Sequence, residues 1–118
     1  MFFGYQVNKK PFLSYSVVSK EGKLTKTVEI EQGNFGTMVH DFAITENYSI
    51  FLLFPLQFNP IEMLNGNVGF SLNKKVQARI CVIPRHGDSK DTRYFDISNG
   101  YVFHTVNGKI FFFIILFF

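Results

Sequence analysis

The sequence predicts an all-β protein built from short antiparallel strands. Three observations predict it. In "KLTKTVEIE" the apolar residues Leu24, Val28 and Ile30 alternate with Lys23, Thr25, Thr27 and Glu29, the period of a half-buried strand. Turn residues break the chain into roughly eight β-rich runs, at the spacing of a sandwich or propeller. No stretch of ten residues keeps a helical period with caps at its ends. Composition agrees: 118 residues, 47% hydrophobic and 18% charged, suffice for a core but for at most one small domain.

The elements follow in order. "FLSYSVVS" (12–19) is a strand, Glu21-Gly22 a turn, and "KLTKTVEIE" (23–31) the second arm of a hairpin. "EQGNFGT" is a loop with two glycines. "HDFAITE" (40–46) and "YSIFLLF" (48–54) are β-rich runs joined at Asn47, a residue suited to short turns. Pro55 and Pro60 bracket an irregular segment, and "IEMLNG" (61–66) after it forms one helical turn ended by Gly66. "ARICVIP" (78–84), "RYFDI" (93–97) and "YVFHTV" (101–106) are three further strands, separated by "RHGDSKDT" and "SNG". A propeller blade has four strands in about 40–50 residues, so on that architecture the chain amounts to about two blades of a larger ring.

Several function classes are excluded or disfavoured. The net charge is +3, but Lys9-Lys10 and Lys74-Lys75 are the only adjacent basic pairs. No basic stripe forms, and nucleic acid is not a partner. The single cysteine, Cys81, lies in an apolar run and reads as a buried strand thiol with no disulfide to make. "MFFGYQVNKK" lacks the basic region and apolar stretch of a secretory signal. The longest apolar run, Ile110 to Phe118, is nine residues, short of the roughly 20 a transmembrane helix needs. No Gly-rich phosphate loop and no nucleophile elbow is present.

Three histidines remain. His86 sits in the charged turn "PRHGDSK" and reads as a solvated loop residue. His40 opens the run "HDFAITE", and His104 follows Phe103 in an apolar run. They are 64 positions apart, so no local metal motif joins them. By spacing alone each is an ordinary core or strand-end histidine, and Asp41 and Glu46 are ordinary strand-end charges.

"MVHDFAITENYSIFLLFPL", "RICVIPRHGD", "RYFDI" and "YVFHTVN" strongly resemble the carotenoid cleavage oxygenase family. That family includes carotenoid and apocarotenoid dioxygenases, lignostilbene dioxygenases and retinoid isomerohydrolases. The resemblance runs from Met1 to Asn107 and is most specific from His40 to Tyr48. It implies a seven-bladed β-propeller with Fe(2+) held on the axis by four histidines, of which His40 matches the second and His104 the third. Neutral imidazole suits iron(II), and a four-histidine shell leaves positions for O2 and substrate. The implied reaction cleaves a conjugated C=C bond of a lipophilic polyene or stilbene. Phe103 matches a position that tends to line the substrate tunnel, with plain core packing as its alternative. The resemblance also allows a membrane-surface association of the parent enzyme. It leaves compartment and cleavage position open.

Two departures accompany the match. The pattern's first histidine falls before Met1 and its fourth beyond residue 118, so the chain holds two of four ligands in a partial propeller. After the third histidine the family continues Asn-Ala, an aromatic residue and then acidic residues, whereas here Asn107 is followed by Gly108-Lys109 and a run of only Ile, Phe and Leu. Residues 1–107 are thus expected to be a propeller fragment. Residues 108–118 are expected to be a non-family tail, translated from a retained T-rich intron, since Lys109 to Phe118 can be encoded with A and T alone. Two other functions compete. One is a lignostilbene-type dioxygenase of the same family. The other is a non-catalytic propeller interaction module, disfavoured because no blade repeat is visible.

Overall fold

The computed structural model describes residues 1–34 and 36–106 in full, and the backbone of 108–111 and 114–117. Its elements in chain order are β1 (Phe2–Tyr5), β2 (Leu13–Val18), β3 (Leu24–Ile30), β4 (Phe42–Ile44), β5 (Tyr48–Leu53), β6 (Leu56–Phe58), α1 (Pro60–Leu64) and β7 (Phe70–Leu72). They continue with β8 (Ala78–Pro84), a 3-10 turn (Ser89–Asp91), β9 (Arg93–Ile97), β10 (Gly108–Phe111) and β11 (Ile114–Phe117). Every strand pair among the described residues is antiparallel. The helical elements are five and three residues long. The all-β, antiparallel expectation therefore holds.

The chain forms two compact units, Met1–Met38 with Leu56–Leu72, and Val39–Pro55 with Asn73–Phe118. The first carries the sheet β1-β2-β3 and the hairpin β6-β7. The expected hairpin is β2-β3, and its turn is closed by Gly22 N–H donating to the Ser19 carbonyl at 3.0 Å. Gly22 has φ +79°, which a side chain would strain. Leu13, Tyr15, Val28 and Ile30 are buried on one face, as period-two alternation requires. Ser16 and Thr27, opposite one another, join their hydroxyls at 3.0 Å on the other face. Helix α1 is a single turn between polar ends. The Asn59 side chain accepts from Ile61 N–H at 3.1 Å, Pro60 sits where its missing N–H costs nothing, and Gly66 follows at φ +78°.

The second unit holds the sheet that positions the site, with order β4-β5-β8-β9. Ala43, Ile50 and Val82 form a buried cluster, with Tyr48 and Ile80 packed against it. Phe51 and Cys81, paired across β5 and β8, are fully buried, and Phe51 stacks on Phe42 with ring centroids 5.1 Å apart. β5 and β8 have buried residues on both faces, so their sequences read as continuous apolar runs.

Two sequence expectations differ from the structure, and one strand lies outside the expected elements. Phe2–Tyr5 is a strand, paired with Leu13–Ser16, although its residues show no alternation. The segment between Pro55 and Asn73 contains the short hairpin β6-β7 as well as the helical turn. Most consequentially, "YVFHTV" is not a strand: residues 101–106 are irregular. Its β-branched and aromatic residues favour extended backbone, but among the described residues no strand pairs with it.

Two measurements check this packing. Ile50→Ala, which empties a fully buried position, should cost about 2–5 kcal/mol, seen as a lower urea midpoint, whereas Leu64→Ala at an exposed position should change it by less than about 0.5 kcal/mol. Burial pushes the Cys81 thiol up to about 12, against a smaller lowering by Arg79. Below the ordinary value of 9.0 the thiol is protonated folded or unfolded. Between there and about 12 only the unfolded chain ionises, so stability falls as pH rises. Cys81→Ala should lack that part of the alkaline loss, and Cys81 should resist thiol reagents at pH 8 until the chain is denatured.

Candidate metal centre

The site lies in the second unit, at one end of its sheet. β4 begins there, β5 ends there, β8 begins there and β9 ends there, as the registers Phe42↔Phe51, Leu53↔Arg79 and Ala78↔Ile97 require. After β9 the chain crosses this end instead of adding an edge strand. Asn99 anchors the start of the crossing. Its Oδ1 accepts from the buried Ala78 N–H at 2.8 Å, and its Nδ2 donates to the Val76 carbonyl at 3.3 Å. Midway, the Tyr101 ring meets Phe54, the residue after β5, at 5.9 Å. At the far side, Thr105 reaches Asp41, the residue before β4. The Thr105 N–H donates to Asp41 Oδ2 at 2.9 Å and the Thr105 hydroxyl donates to the same oxygen at 3.0 Å. Asp41 Oδ1 accepts from Phe42 N–H at 2.8 Å.

This crossing brings His104 to His40. Their ring centroids are 5.0 Å apart with planes at 82°. Phe103 meets His40 with ring centroids 5.4 Å apart, and Tyr101 meets Phe103 at 4.8 Å. Both histidines are exposed, and Phe103 is 55% exposed. His86 lies at the opposite end of the sheet: it follows Arg85, whose N–H donates to the Asn47 carbonyl in the β4-β5 turn at 2.8 Å.

The pair's centroid spacing lies in the range a shared metal would set and equally in that of an ordinary edge-to-face ring pair. With a metal about 2.1 Å from one nitrogen of each ring and ligand angles of about 90–110°, imidazole centroids fall about 4.5–5.3 Å apart. Among the described residues no group of three or more histidine, cysteine or acidic side chains is gathered to hold a metal. The Asp41 oxygens accept three donors, the Phe42 and Thr105 N–H groups and the Thr105 hydroxyl. Burial raises the Asp41 carboxyl, but those donors and the nearby His104 outweigh it and hold the group below its ordinary value.

The family description "Retinal pigment epithelial membrane protein" (RPE65) matches residues 1–108. The chain belongs to the carotenoid cleavage oxygenase family. It is 43% identical over 108 residues to "Carotenoid 9,10(9',10')-cleavage dioxygenase 1" of Pisum sativum, covering 90% of this chain and 20% of that protein. It is 32% identical over 110 residues to "Isoeugenol monooxygenase" of Pseudomonas nitroreducens, covering 92% of this chain and 23% of that protein. The lignostilbene dioxygenase of Pseudomonas brassicacearum superposes with TM-score 0.58 at 37% identity, over 71% of this chain and 17% of that one. Cobalt-substituted Synechocystis ACO superposes with TM-score 0.65 at 29% identity, over 81% of this chain and 20% of that one. The chain thus spans about a fifth of the length of the carotenoid cleavage oxygenases it matches. Among the described residues no helix is long and apolar enough to cross a membrane.

The parts that spacing missed are Asp41, Thr105, Asn99 and Tyr101, which hold the crossing in place. An acid directly after a candidate ligand was the one visible signal, and nothing local tied it to Thr105. Asn99→Ala should cost about 1–3 kcal/mol, because it strands the buried Ala78 N–H without an acceptor. Asn99→Asp keeps that acceptor and should cost less. Urea unfolding of the two variants separates these outcomes.

Proposed function

We propose that this chain is part of an iron(II)-dependent dioxygenase that splits a conjugated C=C bond of a carotenoid or apocarotenoid with O2, giving two carbonyl products. The observation that supports it is the 5.0 Å pairing of the His40 and His104 rings, in a family whose pattern asks for four histidines. On this reading the two supply the second and third ligands through neutral imidazole nitrogens. When bound, iron(II) supplies the one-electron chemistry that O2 needs to react with a closed-shell alkene.

The chain's own residues then have distinct tasks. His40 and His104 donate nitrogen lone pairs from irregular backbone carried on a rigid sheet. Phe103, exposed and in contact with the His40 ring, offers an apolar face to a polyene lying beside the metal. Such a substrate is held by buried apolar area, and the lining must exclude water. On the same reading residues 1–107 are oxygenase sequence and 108–118 a non-family extension.

A lignostilbene-type activity is the second reading, favoured by the 37% identity to the Pseudomonas brassicacearum lignostilbene dioxygenase. Both readings need the same histidine pair and differ in the olefin cleaved.

The test compares the 118-residue chain with a version carrying the family's remaining segments. The short chain should hold far less than one iron, because two imidazoles without further ligands gain little over water. The extended version should hold iron and cleave a β-apo-carotenal or a hydroxystilbene, whichever product analysis shows. In it, His40→Ala or His104→Ala should abolish iron and turnover, and His86→Ala should leave both unchanged. Full iron and turnover in the extended His40→Ala variant would defeat the proposal.

A further inference from the structure

We infer that Asp41 is a positioning residue whose carboxylate sets the His104 ring against the His40 ring, an inference that rests on reading the two histidines as ligands. Its neighbours in sequence and in space supply the argument. Asp41 directly follows His40, and Thr105 directly follows His104. The carboxylate receives Thr105 N–H at 2.9 Å and the Thr105 hydroxyl at 3.0 Å on Oδ2, and Phe42 N–H at 2.8 Å on Oδ1. One side chain is therefore bonded to the backbone beside each histidine, across 64 residues of sequence.

The chemistry of the contact requires a carboxylate. Three donors converge on two oxygens. An asparagine has one acceptor oxygen and an NH2 that only donates. Either way round, it would turn N–H toward the Thr105 pair or toward Phe42 N–H. Charge-assisted hydrogen bonds are also the stronger kind. The crossing needs such a tether, because residues 101–106 belong to no strand and Val102, Phe103 and Val106 are exposed rather than packed. Groups that orient ligand residues typically change metal affinity by 10–100-fold when removed.

The test uses NMR, with Asp41→Asn, Thr105→Val, Thr105→Ser, and Asp96→Asn as a charge control on β9. Three readouts are taken: the nuclear Overhauser contact between the His40 and His104 rings and exchange of the Thr105 amide in the 118-residue chain, and broadening of both ring signals by Co(II) added to the extended version that carries the family's remaining segments. Asp41→Asn should lose the ring contact, speed Thr105 exchange by about tenfold or more, and move the cobalt midpoint about tenfold higher. Amides of β5 and β8 should stay as protected as in the parent chain. Thr105→Val should shift the cobalt midpoint less, and Thr105→Ser and Asp96→Asn should match the parent chain. Asp41→Asn with ring contact and cobalt midpoint intact would overturn the inference. So would loss of β5 and β8 protection in Asp41→Asn together with an unchanged Thr105→Val, since Asp41 would then serve the fold alone. Loss of the ring contact in Asp41→Asn, with no cobalt broadening in any form, would uphold the positioning and reject the histidines as ligands.

Discussion

The carboxylate of Asp41 accepts three hydrogen bonds, and the arrangement of the candidate site depends on them. Ladder bonding explains where β4, β5, β8 and β9 lie, but it stops at Ile97. From there to Val106 the chain is held by side chains: Asn99 at the start of β8, Tyr101 on Phe54, and Asp41 on Thr105. The last of these acts closest to the two histidines.

Backbone that leaves a ladder must still satisfy its polar groups. Asn99 and Asp41 are suited to this, because short polar side chains reach nearby backbone groups with little conformational loss. The gain is placement. A strand residue points to one face of its sheet, whereas a crossing segment can present rings over the end of the sheet. His104, Phe103 and Tyr101 are presented this way, and His40 meets them because it precedes β4 instead of lying within it. The rigid part, β5 paired with β8 around Phe51, Cys81 and Ile50, lies behind them.

The relatives named above act on differing compounds by their names, carotenoids in one case and isoeugenol in another. The shared segment includes both histidines and the sheet that carries them. On the function proposed above, this segment would supply ligand geometry, and contacts along the substrate, Phe103 among them, would set which olefin is bound.

The strand-rich character of the chain was legible in its sequence because it is a local property. Alternation in 24–30 and apolar runs at 48–54 and 78–84 reflect which faces each strand buries, and a single strand shows this by itself. The helical turn at Pro60–Leu64 was legible for the same reason, through its end at Gly66. The two histidines stood out only through the pattern around them, since neither is marked by a neighbouring ligand. The irregular path of 101–106 was not legible. Its residues have strand propensity, and whether a ladder partner exists is decided by sheet order. The role of Asp41 was hidden likewise, because its hydrogen-bond partner is 64 residues away. Local periodicity reports burial, whereas a contact across such a separation exists only once β4, β5, β8 and β9 are assembled, and so the tertiary structure alone decided that His40 and His104 meet.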